Sequence, residues 1–129
     1  LFNQALDGHV DIDGVTALYA SEFIAASPAG VRTGKNDEQL KLIMLQGYER
    51  YREIGTKQMR IRSVRTSPID DQHCIAHVAW TATYARKSRP QVSIDFDVHY
   101  LVQTLDKVPE VFGWVSGDEQ ALLKEHGLI

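Results

Sequence analysis

The sequence is short of several things, and each shortage excludes a class of protein. Cys74 is its one cysteine in 129 residues, so no disulfide can form within the chain. It lies between apolar neighbours, where a small buried thiol is expected rather than a nucleophile. No apolar run approaches the roughly 20 residues that a membrane-spanning helix needs. Basic charge is not in excess: the formal net charge is −3, against the basic face of a nucleic-acid binder. Arg60, Arg62 and Arg65 are the densest basic cluster, and their strand context predicts a solvated edge. No secretory signal is visible, so the cytoplasm is the expected location. Because the sequence opens at Leu1 and not at a methionine, its natural beginning is expected further upstream. Repeats, low-complexity stretches and linkers are absent too, so one domain over 1–129 is expected.

What is present is globular in character, with 43% apolar and 24% charged residues. Residues 1–9 read as the end of a helix. Asp11 or Asp13 is placed to cap a second short helix carrying Val15, Leu18 and Tyr19. Glu22 to Ala26 reads as a short strand, stopped by Ser27-Pro28-Ala29-Gly30 and answered by Val31 to Thr33. A long helix follows, with Asn36 as its expected N-cap and Asp37 and Glu38 in the favoured acidic first turn. Its apolar stripe runs through Leu40, Met44, Gly47, Tyr51 and Ile54. Leu42, Ile43, Leu45 and Tyr48 widen it, so cover on more than one side is predicted. Gly55 ends it at the C′ position.

Beyond Gly55 the period changes from helical to alternating. Lys57 to Thr66, His73 to Arg86, Val92 to Thr104 and Val108 to Ser116 read as strands. The turns fall at residues 67–71, at Lys87-Ser88-Arg89-Pro90 and at 105–107. Gly117-Asp118-Glu119 opens a terminal helix closed by Gly127. Helices first and antiparallel strands after them predict an α+β fold. The two long strands can be set against each other about Arg89. Tyr84 then faces Ile94, Ala82 faces Phe96, Trp80 faces Val98 and Val78 faces Tyr100, all apolar or aromatic. The opposite face pairs Thr83 with Asp95, Thr81 with Asp97 and Ala79 with His99. One dry face and one wet face are expected.

This order of elements resembles the nuclear transport factor 2-like superfamily over essentially the whole chain. The resemblance is carried by Leu18-Tyr19-Ala20-Ser21 before a short strand, by Ser27-Pro28-Ala29-Gly30, by Thr33-Gly34-Lys35-Asn36-Asp37 leading into the long helix, and by Val78-Ala79-Trp80-Thr81-Ala82-Thr83-Tyr84. It implies a cone-like curved antiparallel sheet wrapped around N-terminal helices and enclosing one apolar pocket. It also implies a homodimer joined through the outer sheet face. Members of the superfamily include steroid isomerases, dehydratases, epoxide hydrolases, polyketide cyclases and binding or transport modules. The ketosteroid isomerase residues are not retained. The position of their base is Ser27, that of their oxyanion tyrosine is about Asn3, and that of their protonated carboxyl is Val98, or Asp97 after a one-residue shift.

Asp97 and His99 are the weak catalytic candidates, with Asp95 beside them. Two strand residues span about 6–7 Å, close enough for a carboxylate to orient a histidine as general acid or base. The competing reading places all three on the outer face. His73 and His77 stand about 13 Å apart on a strand, too far for one metal, and His9 and His126 are expected at the surface. Gly30-Val31-Arg32-Thr33-Gly34 lacks the ending of a phosphate loop. No metal site and no cofactor is implied. Pocket-lining positions are expected at Tyr19, Tyr48 and Tyr51, at Val78 and Trp80, at Phe96, Val98 and Tyr100, and at Trp114. Three functions remain open: a pocket for an apolar cyclic or acyl small molecule, a dehydratase-, cyclase- or isomerase-type enzyme using His99 with Asp97 and a tyrosine, and a dimeric interaction module.

Overall fold

The computed structural model describes residues 12–86 and 89–128. The chain runs α1 (Ile12–Thr16), β1 (Tyr19–Ser27), β2 (Gly30–Lys35), α2 (Glu38–Glu53), β3 (Thr56–Pro68), β4 (His73–Arg86), β5 (Arg89–Leu105), β6 (Val108–Ser116) and α3 (Glu119–Glu125). The strands form one curved, unclosed sheet in the order β2-β1-β6-β5-β4-β3. All neighbours are antiparallel except β1 and β6. The α+β expectation holds. Register shifts interrupt β3–β4 twice and β1–β6, β4–β5 and β5–β6 once each. Extra residues of this kind increase local twist and bend a strand, which lets a sheet curve around helices without closing. The helix end expected over residues 1–9 lies outside the described residues, as do Asp11, Lys87 and Ser88.

Several local expectations are corrected. Helix α1 is a short turn whose Thr16 hydroxyl donates back to Ile12 O at 2.9 Å, and Leu18 lies beyond it, half exposed. Tyr19 starts a strand. Asp37, not Asn36, is the N-cap of α2, its carboxylate accepting from Leu40 N at 3.0 Å. Asn36 is occupied elsewhere, donating through Nδ2 to Thr16 O at 2.8 Å and Tyr19 O at 3.2 Å. The amide thereby pins the step from α1 into β1. Helix α2 is covered on one side, not several: Leu42 is 61% and Ile43 56% exposed. Cys74 is half-buried, not enclosed.

The β4–β5 register also differs from expectation, by two residues. Tyr84 pairs with Val92, Ala82 with Ile94, Trp80 with Phe96, Val78 with Val98 and Ala76 with Tyr100. The chain reverses between the paired Arg86 and Arg89, nearer β4 than a centre at Arg89 would put it. Side chains alternate with period two, so an even shift changes every partner but moves no side chain to the other face. Hydrophobic pattern fixes parity; the turn fixes register. The core then forms on the apolar side, where Met59, Ala82, Tyr84 and Ile94 pack with Leu123 of α3.

Two glycines make opposite predictions. Gly55 has φ 90°, and a Cβ there would collide with the carbonyl oxygen of Ala85. Gly47 lies within α2, and a Cβ there would meet nothing within 4 Å. Gly47→Ala is expected to stabilise the protein by about 1 kcal/mol, the usual helix-interior difference. Gly55→Ala is expected to destabilise it by at least about 1 kcal/mol. Urea unfolding of the two variants checks both signs.

Candidate functional site

The apolar face of the sheet and the inner side of α2 border a half-open cavity of about 240 Å³. Strand β1 contributes Tyr19, β3 Met59 and β4 Trp80, while alternation along β5 turns Phe96, Val98 and Tyr100 toward the same space. On β6 the same alternation supplies Trp114 and Ser116. Helical spacing places Tyr48 and Tyr51 on adjacent turns of one face. Glu119, in the first turn of α3, completes the lining. Val78 shares the buried face but is not among the residues that line the cavity. A separate groove of about 540 Å³ runs between β2 and α2 past Phe23, Ile43 and Met44, with Arg32, Lys35 and Asp37 beside it. The 240 Å³ cavity is where buried hydroxyls and a carboxylate converge.

Its rings are fixed by one another. Tyr19 meets Trp114 edge to face with centroids 5.6 Å apart, and Trp114 stacks on Phe23 at 5.2 Å. The Tyr51 hydroxyl donates to Glu119 Oε1 at 2.8 Å, joining residues 68 apart in sequence. Burial, reinforced by the Glu119 charge and that hydrogen bond, pushes the Tyr51 hydroxyl far above its ordinary value. Burial, with Tyr100 and Tyr48 adding to it, pushes Tyr19 up to about 12. Burial alone raises Tyr48. It also raises Tyr100, against a hydrogen bond with Trp80 that acts the other way. At neutral pH every tyrosine here keeps its proton. None can serve as a base; each can bind a polar group.

The opposite face of the sheet is a polar ladder. Asp95 accepts from the Thr81 hydroxyl at 2.6 Å and lies 3.6 Å from Arg62, which also approaches Asp97 at 3.8 Å. His99 does not pair with Asp97. Its Nδ1 lies 2.6 Å from Nδ1 of His77, whose Nε2 is 2.8 Å from the Ser67 hydroxyl. Partial burial, then the Arg65 charge and His99, lowers the His77 pKa. Asp97 and His99 therefore face away from the cavity, and the carboxylate expected to orient the histidine is engaged by Arg62. His73 is bound instead to Asp70 at 2.8 Å. Arg60, Arg62 and Arg65 are exposed on the edge strand, as expected. Among the described residues no group of three or more His, Cys, Asp or Glu could hold a metal.

Of the positions aligned with ketosteroid isomerase chemistry, Ser27 is at an exposed strand end, where its hydroxyl accepts from Ala29 N at 3.2 Å. Val98 lines the cavity, Asp97 lies behind it, and Asn3 is outside the described residues. Three lining residues were not anticipated. Ser116 and Met59 carry a usable signal, since each lies on the dry side of an alternating strand. Glu119 carries none locally, because an acidic residue opening a helix has an ordinary explanation in the helix dipole.

Comparison with solved structures gives the same architecture. An NTF2-like protein with a cystatin-like fold from Novosphingobium aromaticivorans superposes with a TM-score of 0.67 at 8% identity, over 98% of this chain and 79% of that one. A ketosteroid isomerase-like protein from Erwinia carotovora atroseptica gives 0.59 at 15% identity, over 90% and 83%. An NTF2-like protein of unknown function from Shewanella oneidensis gives 0.57 at 14% identity, over 91% and 90%. Identities this low establish the fold and nothing finer: an NTF2-like, cystatin-like fold. The particular family follows from the sequence itself, for residues 1–119 match the model described as NTF2-like protein (DUF6841), and the chain belongs to that family. Among curated proteins, none matches.

The tyrosines give a direct test of the site's electrostatics. All five have raised pKa values, including buried Tyr84 at about 12. A tyrosine that ionises near pH 10 when unfolded but later when folded contributes stability below pH 10 that is lost as pH rises. Stability is expected to fall from about pH 10 toward about 12. Phenolate absorbance should appear together with loss of the folded circular dichroism signal. A phenolate titrating near the free value of about 10 in the folded protein would contradict this.

Proposed function

We propose that this protein binds a compact, largely apolar small molecule in the cavity between the sheet and α2. One observation carries the reading: aromatic and aliphatic side chains from β1, β3, β4, β5, β6 and α2 converge on one space that also holds hydroxyl groups and a carboxylate. Pockets for small molecules combine apolar walls with placed polar groups, and here the polar share of the wall is nearly as large as the apolar one. At about 240 Å³ the space is below the usual size for drug-like ligands, so a single ring or a short branched chain fits better than a polycyclic molecule.

A lyase- or isomerase-type reaction is the second reading, and one contact supports it. Tyr51 and Glu119 form a hydrogen-bonded acid–base pair on the cavity wall. Such a reaction would use this pair, because Asp97 and His99 lie across the sheet. Homodimerisation through the outer sheet face belongs to the same proposal, supported by exposed Val115 standing opposite His99 there.

The test is thermal unfolding in the presence of small neutral aromatics such as 4-ethylphenol. A ligand that binds only the folded protein raises Tm, and the rise grows with the logarithm of ligand concentration above Kd. Val98→Phe, which fills the space, is expected to weaken binding by about tenfold or more, about 1.4 kcal/mol. Unchanged affinity in that variant would move the binding site elsewhere.

A further inference from the structure

Granted that the cavity takes ligands at all, we infer that it selects an organic cation, a compact amine or quaternary ammonium bearing an apolar substituent. Glu119 is the only charged side chain among the described residues that line the cavity, and no lysine, arginine or histidine stands there. Tyr51 touches the carboxylate, and Trp80, Trp114, Tyr19, Tyr48 and Phe96 share the lining with it. Aromatic faces carry negative charge density, so walls of this kind attract a cation, while an anion finds hydroxyl donors but no positive charge to set against Glu119. Tyr51 fixes the carboxylate through its 2.8 Å hydrogen bond, and the Tyr19–Trp114 contact at 5.6 Å fixes part of the wall. The site is thus already arranged for a positive charge.

The alternatives fit less well. An anionic ligand would meet Glu119 at close range with no fixed cation to offset the repulsion. A neutral ligand without a hydrogen-bond donor would strip water from the carboxylate and leave its charge facing carbon atoms, which is unfavourable. A hard metal ion needs several oxygen ligands, and the lining supplies one carboxylate. An ammonium group answers both features at once, meeting the carboxylate with charge and the rings with its methyl or methylene groups.

Both tryptophans of the chain line the cavity, so intrinsic fluorescence reports its occupancy directly. The probes are benzyltrimethylammonium, its uncharged carbon isostere neopentylbenzene, and phenylacetate. The cation is expected to bind about tenfold or more tighter than the isostere, with phenylacetate weakest. Glu119→Gln keeps an acceptor for Tyr51 and is expected to reduce that preference to about threefold or less. Trp114→Leu provides a check independent of Glu119, and should weaken the cation more than the isostere. Equal binding of cation and isostere, or a preference unchanged in both variants, overturns the assignment. If the isostere quenches fluorescence and the cation has no advantage, the pocket stands and its cation selectivity falls. If neither quenches, both readings fall.

Discussion

The pairing of β4 with β5 is the constraint on which the remaining structure depends. Over this ladder Val78, Trp80, Ala82 and Tyr84 share a face with Val92, Ile94, Phe96 and Val98, while Thr81, Ala79 and His77 share the other with Asp95, Asp97 and His99. An odd shift in register would place two carboxylates against the core, at a cost of several kcal/mol each by order of magnitude. An even shift costs far less, and only the turn and the cross-strand contacts choose among those. Thr81 with Asp95 and His77 with His99 are contacts of that kind, each pairing residues directly opposite one another. The polar ladder locks the register; the apolar face uses it.

From that face the cavity follows almost without further choice. Alternation along β5 and β6 aims Tyr100 and Trp114 inward, and the helical period of α2 brings Tyr48 and Tyr51 over them. Bulges curve the sheet, so its long strands leave a space beside α2 instead of a flat contact. The C-terminal segment then closes one side. Leu123 enters the core while Glu119, one helical turn earlier, meets Tyr51. One short helix supplies both an apolar anchor and the cavity's charge.

Much of this was legible in the sequence because it rests on periodicity. The bounds of β4 and β6, the opening of α3 at residues 117–119 and its close before Gly127, and the segregation of the two β4–β5 faces all follow from local pattern. The errors fall where tertiary contacts decide. Asn36 has the chemistry of an N-cap but is held by Thr16 and Tyr19, twenty and seventeen residues away. The apolar width of α2 suggested two covered sides, yet only contact with the sheet determines which side is buried. Asp97 and His99 are suitably spaced for a dyad, yet the edge residue Arg62 and the facing His77 engage them separately. Glu119 becomes interesting only through a partner 68 residues away. Family membership does not supply the missing chemistry, since the neighbours share the fold at 8–15% identity.

The binding surface proposed for a small molecule is the dry face of β5 and β6, and not the polar ladder behind it. Intermolecular nuclear Overhauser contacts to methyl-labelled protein, with a bound aromatic probe, test this most directly. Val98 and Met59 line the cavity, whereas Val115 is 45% exposed and pairs with His99 on the outer face. Contacts are expected to the methyl groups of Val98 and Met59 and none to Val115. Contacts at Val115 with silence at Val98 would contradict it.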